Sequence, residues 1–117
     1  MEKEQWEKRR ALYDRLIDTH PGIERKGKTM PYTSVNGHMF SQLNKAGEIG
    51  IRLSKEDGER FMQQYGTAEF RSYGAVMRGY VLVPDSLVED PKTFGPWLSA
   101  AWDYAKSLKP KESKSKK

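Results

Sequence analysis

The first part of the chain has the apolar spacing of a helix. Trp6, Tyr13 and Ile17 recur at intervals of seven and four positions, and charged residues occupy most of the positions between them. This spacing predicts a helix from about Lys3 to Asp18 that buries one side. Pro21 ends it, because proline biases the residue before it away from helical geometry.

The next part of the chain predicts an antiparallel meander. Lys28 to Val35 is rich in strand-forming residues, and Pro31 within it removes a backbone donor, so we place this strand at a sheet edge or expect a bulge in it. Asn36-Gly37 is a strong hairpin signal because both residues tolerate positive φ. His38 to Asn44 is the returning strand, and Glu48 to Leu53 alternates as the third.

The last half of the chain predicts helix, strand, strand and helix. Ser54 is a helix N-cap, and Asp90-Pro91 is an N-cap followed by a first-turn proline. The Gly95-Pro96 pair predicts that the regular last helix begins only there. The predicted segments after Ser54 are a helix ending at Gly66, strands Thr67 to Tyr73 and Met77 to Val83, and a helix running to Leu108.

The element order predicts an α+β fold rather than a parallel βαβ fold, because the strands form a meander and the helices are separate. We expect a two-layer α-β-β-β-α-β-β-α arrangement, with a mostly antiparallel five-stranded sheet and the helices on one face. A chain of 117 residues fits one domain, which we place at residues 1–108.

Charge is concentrated at the end of the chain. Residues 109–117 hold five lysines and one glutamate, so of the formal net charge of +5 only about +1 belongs to residues 1–108. These last nine residues lack apolar anchors and are predicted to form a disordered basic tail. No stretch approaches the ~18 apolar residues of a membrane span, and the first 20 residues lack a secretory signal. We therefore expect a cytoplasmic protein without a membrane partner.

Catalytic patterns are absent from the sequence, which has no cysteine and only two histidines. His20 lies at a helix end, which favours a capping role. Strand alternation places His38 on the solvent side with Phe40 and Gln42. The acidic group at 56, 57 and 59 begins a helix, where acids are favoured electrostatically. We predict no catalytic, cofactor-binding or metal-binding residue, and no cofactor.

Three segments resemble the TfoX N-terminal domain family: Lys28 to Met30, Val35 to Phe40, and Met77 to Pro84. An acidic loop and a tryptophan-containing last helix follow them, and the resemblance covers roughly residues 10–109. It implies the α-β-β-β-α-β-β-α two-layer fold. Longer members carry a second domain and act with a transcription factor at promoters, so this chain resembles a stand-alone N-terminal module. It departs from many relatives at Pro31-Tyr32, where they have a glycine pair.

The first functional hypothesis is a small non-enzymatic binding or regulatory domain that acts through a protein partner. The resemblance implies a transcription factor as that partner, and a homodimer stays open. Unpaired amides of an edge strand can pair with another chain. The candidate interaction surface along that edge comprises Lys28, Tyr32, Asn36 and His38.

Two alternatives stay open. One is a weak, non-specific nucleic-acid binder that uses the basic tail and the Lys26–Lys28 region, because lysines neutralise phosphates. Further basic and aromatic candidates for that surface are Arg71, Arg78, Tyr32, Phe70 and Tyr73. The other alternative is a small enzyme that uses His38 or a tyrosine.

Overall fold

The computed structural model describes residues 2–72 and 74–109. Its elements are α1 (Lys3–Ile17), β1 (Tyr32–Val35), β2 (His38–Leu43), β3 (Ile49–Arg52), α2 (Lys55–Tyr65), β4 (Glu69–Ser72), β5 (Ala75–Leu82), α3 (Asp85–Val88) and α4 (Pro91–Ser107). Residues 110–117 of the predicted tail, and Tyr73, lie outside the described residues.

The strands form one antiparallel sheet in the order β1-β2-β3-β5-β4. The first three strands are the predicted meander, and β5 pairs with β3 so that β4 lies at the far edge. The predicted α+β class is confirmed. The short helix α3, which the sequence pattern did not predict, adds one element before α4.

All four helices contribute to one buried apolar cluster on one face of the sheet, which we call the helical face. The sheet contributes alternate residues of β3 and β5, such as Ile49, Ile51 and Val81. The helices contribute the following buried side chains: Tyr13, Leu16, Ile17, Phe61, Leu87, Val88, Phe94, Leu98, Ala101 and Ala105.

A β-bulge in β2 changes which residues reach the helical face. Thr33 pairs with Ser41 and Ser34 with Met39, so Phe40 is the extra residue. The predicted solvent exposure of Phe40 is wrong, because its ring is fully buried and contacts Trp102 of α4 edge-on at 5.8 Å. Gln42 is also buried, at 7% exposure. The bulge is the reason that simple alternation fails at Phe40, whereas Gln42 pairs with Gly50 on the face that the Phe70 ring covers.

On the opposite face of the sheet, a side chain of the edge strand β4 covers part of β3. Phe70 is fully buried, and its ring lies directly over Gly50, where any Cβ atom would overlap it. Tyr80 lies beside Phe70 with ring centroids 6.4 Å apart. The amide Nδ2 of Asn44 donates to the Arg71 carbonyl at 2.8 Å, which ties β4 to the β2–β3 turn.

The predicted helix caps are present. The Ser54 hydroxyl accepts from the Asp57 amide at 3.2 Å, and Asp90 accepts from the Thr93 amide at 3.3 Å. The predicted late start of α4 at Gly95-Pro96 is wrong. Asp90 caps the first turn and Pro91 occupies the first helical position, so the helix is already formed when the chain reaches Pro96. Of the helices in the described parts of the chain, even the longest, α4, lacks the apolar length that a bilayer crossing requires.

Candidate functional site

An open cleft of about 430 Å³ lies where the end of β3, the start of α2, β5 and the last turns of α4 meet. Its charged and aromatic lining residues are Arg52, Lys55, Glu59, Glu69, Arg78, Tyr80 and Tyr104. Met62 adds an apolar side chain to the wall. We refer to this feature as the β5 cleft.

An irregularity in β5 builds one wall of the β5 cleft. Glu69 of β4 pairs with Val81, yet Arg71, two residues later, pairs with Val76, so β5 carries extra residues in this stretch. Gly79 lies in this bulge with a φ of 84°, a backbone conformation that residues other than glycine rarely adopt. Its carbonyl accepts from the Leu53 amide at 3.1 Å. The bulge therefore holds Arg78 and Gly79 against the end of β3.

Three cations of the β5 cleft form no ion pair with another described residue. Within residues 2–72 and 74–109, the ion pairs include none formed by Arg52, Lys55 or Arg78. The Arg52 guanidinium lies 5.7 Å from the centre of the Tyr104 ring, which orients it by a cation–π contact. The carboxylates of Glu59 and Glu69 also line the cleft, so the lining carries a formal charge of +1.

Tyr80 is a structural anchor of the β5 cleft. Burial raises the pKa of its phenol to about 12, and the nearby Arg52 charge lowers it by less. The phenol donates to the Met39 carbonyl at 2.6 Å. Because the phenol stays protonated at neutral pH and its proton is used in this bond, Tyr80 fixes β5 to β2 rather than serving as a base.

Both histidines lie outside the β5 cleft. Nε2 of His38 donates to the Lys109 carbonyl at 2.7 Å, and the His20 ring stacks on Trp102 with centroids 5.2 Å apart. In the described part of the chain, neither histidine hydrogen-bonds a hydroxyl or carboxylate side chain. The described residues therefore provide no base–nucleophile pair that would support an enzyme using His38.

The predicted interaction residues do not form one continuous site. The amide and carbonyl of Tyr32 are both bonded to Lys26, at 2.9 and 2.8 Å, which closes this part of the β1 edge. Asn36 donates to the Lys106 carbonyl at 3.0 Å, which satisfies a carbonyl in the last turn of α4, and His38 binds the Lys109 carbonyl just beyond the helix. Lys28 is exposed near the start of α1.

The nucleic-acid candidates are also separated. Phe70 cannot stack on a base because it is fully buried, so its predicted role is wrong. Arg78 lines the β5 cleft, whereas Arg71 lines a different recess beside Asn44. Tyr73 lies outside the described residues.

Sequence reasoning missed Arg52, Lys55 and Tyr104, which come from a strand end, a helix start and the last helix. No short motif joins such positions. The available signal was Gly79, since an isolated glycine within a strand pattern indicates a bulge.

Across residues 2–72 and 74–109, no three His, Asp or Glu side chains are grouped so that they could hold a metal ion. No family model, no curated protein and no solved structure matches the chain.

Proposed function

We propose that this chain is a non-enzymatic regulatory module whose β5 cleft binds an acidic segment of a protein partner. The observation that carries the proposal is the convergence of Arg52, Lys55 and Arg78 on one open cleft, with no ion pair among the described residues. Such an arrangement favours a ligand of opposite charge, because complementary charges steer encounter and fix register.

The apolar part of the lining supports a protein segment as the ligand. Met62 and Tyr104 lie beside the two arginines, and arginine, aromatic and methionine side chains are enriched at protein interfaces. The cleft is open to solvent, and Tyr80 uses its phenol proton in a structural bond. These features suit recognition of a peptide better than chemistry on an enclosed substrate.

The family resemblance supports a regulatory role. Met77 to Pro84, one of the three segments that resemble the TfoX N-terminal domain family, forms the wall that carries Arg78. The resemblance makes a transcription factor the class of partner that we propose. A partner bound through this wall would contact one of the three segments that carry the resemblance.

Site-specific photo-crosslinking in the full chain tests the proposal. A photoreactive residue that replaces Lys55, on the exposed rim of the cleft, should crosslink to a partner protein. Mass spectrometry should then place the crosslink in an acidic segment of that partner. The same residue at Arg15, exposed on α1, is the matched control and should not capture it.

The charge of the cleft supplies the second part of the test. Arg78→Glu should weaken partner binding at least tenfold, because a repulsive charge replaces an attractive one, whereas Arg15→Glu should leave it unchanged. Equal capture from both positions, or unchanged binding by Arg78→Glu, would show that the cleft is not the binding site.

A further inference from the structure

A second basic surface lies where α1 begins, next to the segment before β1 and the β2–β3 turn. Lys3, Lys28 and Lys45 are exposed there around an open recess of about 560 Å³. None of these three lysines forms an ion pair with another described residue. Glu7 also lines the recess, but its carboxylate accepts bonds from Arg10 at 2.7 and 2.9 Å. The positive charge of the recess is therefore largely uncompensated.

Trp6 supplies an aromatic wall to the same recess. Its indole Nε1 donates to the Asn44 carbonyl at 3.0 Å, and the side chain is half-buried, so the ring is held in one position. An aromatic ring that is already ordered can stack on a nucleobase without losing further side-chain freedom. A stacking surface among lysines differs from the arginine-lined β5 cleft.

One further lysine lies beside β1. Lys26 pairs with Tyr32 through its backbone, and its Nζ donates to the Ser34 hydroxyl at 3.4 Å. Lys26 is exposed and lies two residues before Lys28, which lines the recess, so the positive charge extends from the recess to the outer side of β1.

We propose that the Trp6 recess binds single-stranded nucleic acid. Trp6 stacks on one base, while Lys3, Lys28 and Lys45 contact phosphates. The bound nucleic acid continues past Lys26 along β1. Single strands fit better than an acidic peptide because lysine charges track a phosphate backbone and every base offers a face for stacking. The recess is separate from the β5 cleft, so this inference does not depend on the proposed function.

The salt dependence of binding tests the phosphate contacts. The full chain is titrated with fluorescein-labelled oligo(dT) at several salt concentrations, beside the triple variant Lys3→Gln/Lys28→Gln/Lys45→Gln. Three lost contacts at about 0.7 each should reduce the log–log salt slope by about 2. The control Arg15→Gln/Arg60→Gln/Lys92→Gln removes the same charge at exposed positions outside both the recess and the β5 cleft and should keep the slope. An unchanged slope in the recess variant, or an equal loss in both variants, overturns the proposal.

Tryptophan fluorescence tests the stacking. Oligo(dT) should quench the wild-type protein, and Trp6→Phe should remove that quenching while Trp97 and Trp102 remain. Thermal melting of each variant confirms that it is folded. Quenching that persists in folded Trp6→Phe overturns the stacking role. Oligo-glutamate that displaces oligo(dT) at equal concentration would assign the recess to an acidic protein instead.

Discussion

On the helical face of the sheet the buried hydroxyl groups are hydrogen-bonded to one another, whereas on the opposite face two buried polar atoms lack a partner among the described residues. Ser41 Oγ lies 2.6 Å from Tyr13 Oη and 2.5 Å from Thr33 Oγ1. In contrast, Gln42 Oε1 and Ser72 Oγ are buried with no hydrogen-bond partner among the described residues. The two faces share strands but differ in how completely their polar groups are satisfied.

This difference bears on function through the β4–β5 hairpin. An unsatisfied buried polar group costs about 1–3 kcal/mol, so the side of the sheet that Phe70 covers is expected to be the less stable one. The same hairpin supplies Glu69 and Arg78 to the β5 cleft. Binding elements are commonly drawn from the less stable parts of a protein. The comparison therefore teaches that the hairpin that holds the unsatisfied Ser72 hydroxyl also supplies part of the cleft wall, which α2 and α4 complete.

The largest expected effect comes from removing the ring that covers the opposite face. Phe70→Ala should lower the free energy of unfolding by about 3–5 kcal/mol, because it leaves a cavity over Gly50. Urea denaturation measures the loss. Val76→Ala, at the most exposed large apolar residue of the described chain, is the control and should change stability by about 0.5 kcal/mol or less.

The contact between Phe70 and Gly50 can be tested separately. Gly50→Ala places a Cβ where the Phe70 ring lies, so the ring must move and the protein should be destabilised. In a Phe70→Leu background the same substitution should cost less, since the smaller side chain leaves room. Equal costs in both backgrounds would show that the ring does not limit position 50.

The next effect in size concerns the helical face. Ser41→Ala leaves the hydroxyls of Tyr13 and Thr33 without their shared partner in the core, so stability should fall by about 1–3 kcal/mol. Thermal unfolding of the variant beside Tyr13→Phe/Ser41→Ala shows how much of the loss is due to the stranded phenol. A Ser41→Ala variant as stable as the parent would show that these hydroxyl hydrogen bonds do not stabilise the helical face.

How far the sequence could predict the molecule depends on whether a feature is local. The Asn36-Gly37 turn and the Ser54 cap are set by neighbouring residues, and both are present. The bulge at Phe40 depends on register across two strands, and the bulge before Val81 on pairing between β4 and β5. The β5 cleft needs both that pairing and the approach of α4. The sequence pattern alone therefore predicted most of the elements, although not α3, and did not predict the site.

The turn of the β1–β2 hairpin should give an effect of intermediate size. Asn36 and Gly37 have φ values of 55° and 80°, which a β-branched residue resists. Gly37→Val should therefore destabilise the protein by about 1–3 kcal/mol. Gly37→Asn keeps a residue that tolerates this conformation and should cost less in the same denaturation experiment. Equal losses would indicate that backbone strain is not the cause.

The smallest effect is also the one that separates the two faces most sharply. Ser72 lies on the side of β4 that carries Phe70, and its hydroxyl is buried without a partner among the described residues. Replacing the hydroxymethyl side chain of Ser72 by the methyl group of alanine removes the unsatisfied oxygen and its desolvation cost, with only a small change in volume. Ser72→Ala should therefore be neutral or stabilising by up to about 1 kcal/mol, although the same substitution at Ser41 destabilises. Urea denaturation of both variants under identical conditions measures the contrast. A loss at Ser72 as large as that at Ser41 would mean that the Ser72 hydroxyl is satisfied in solution, and the two faces would then be equally well bonded at these positions.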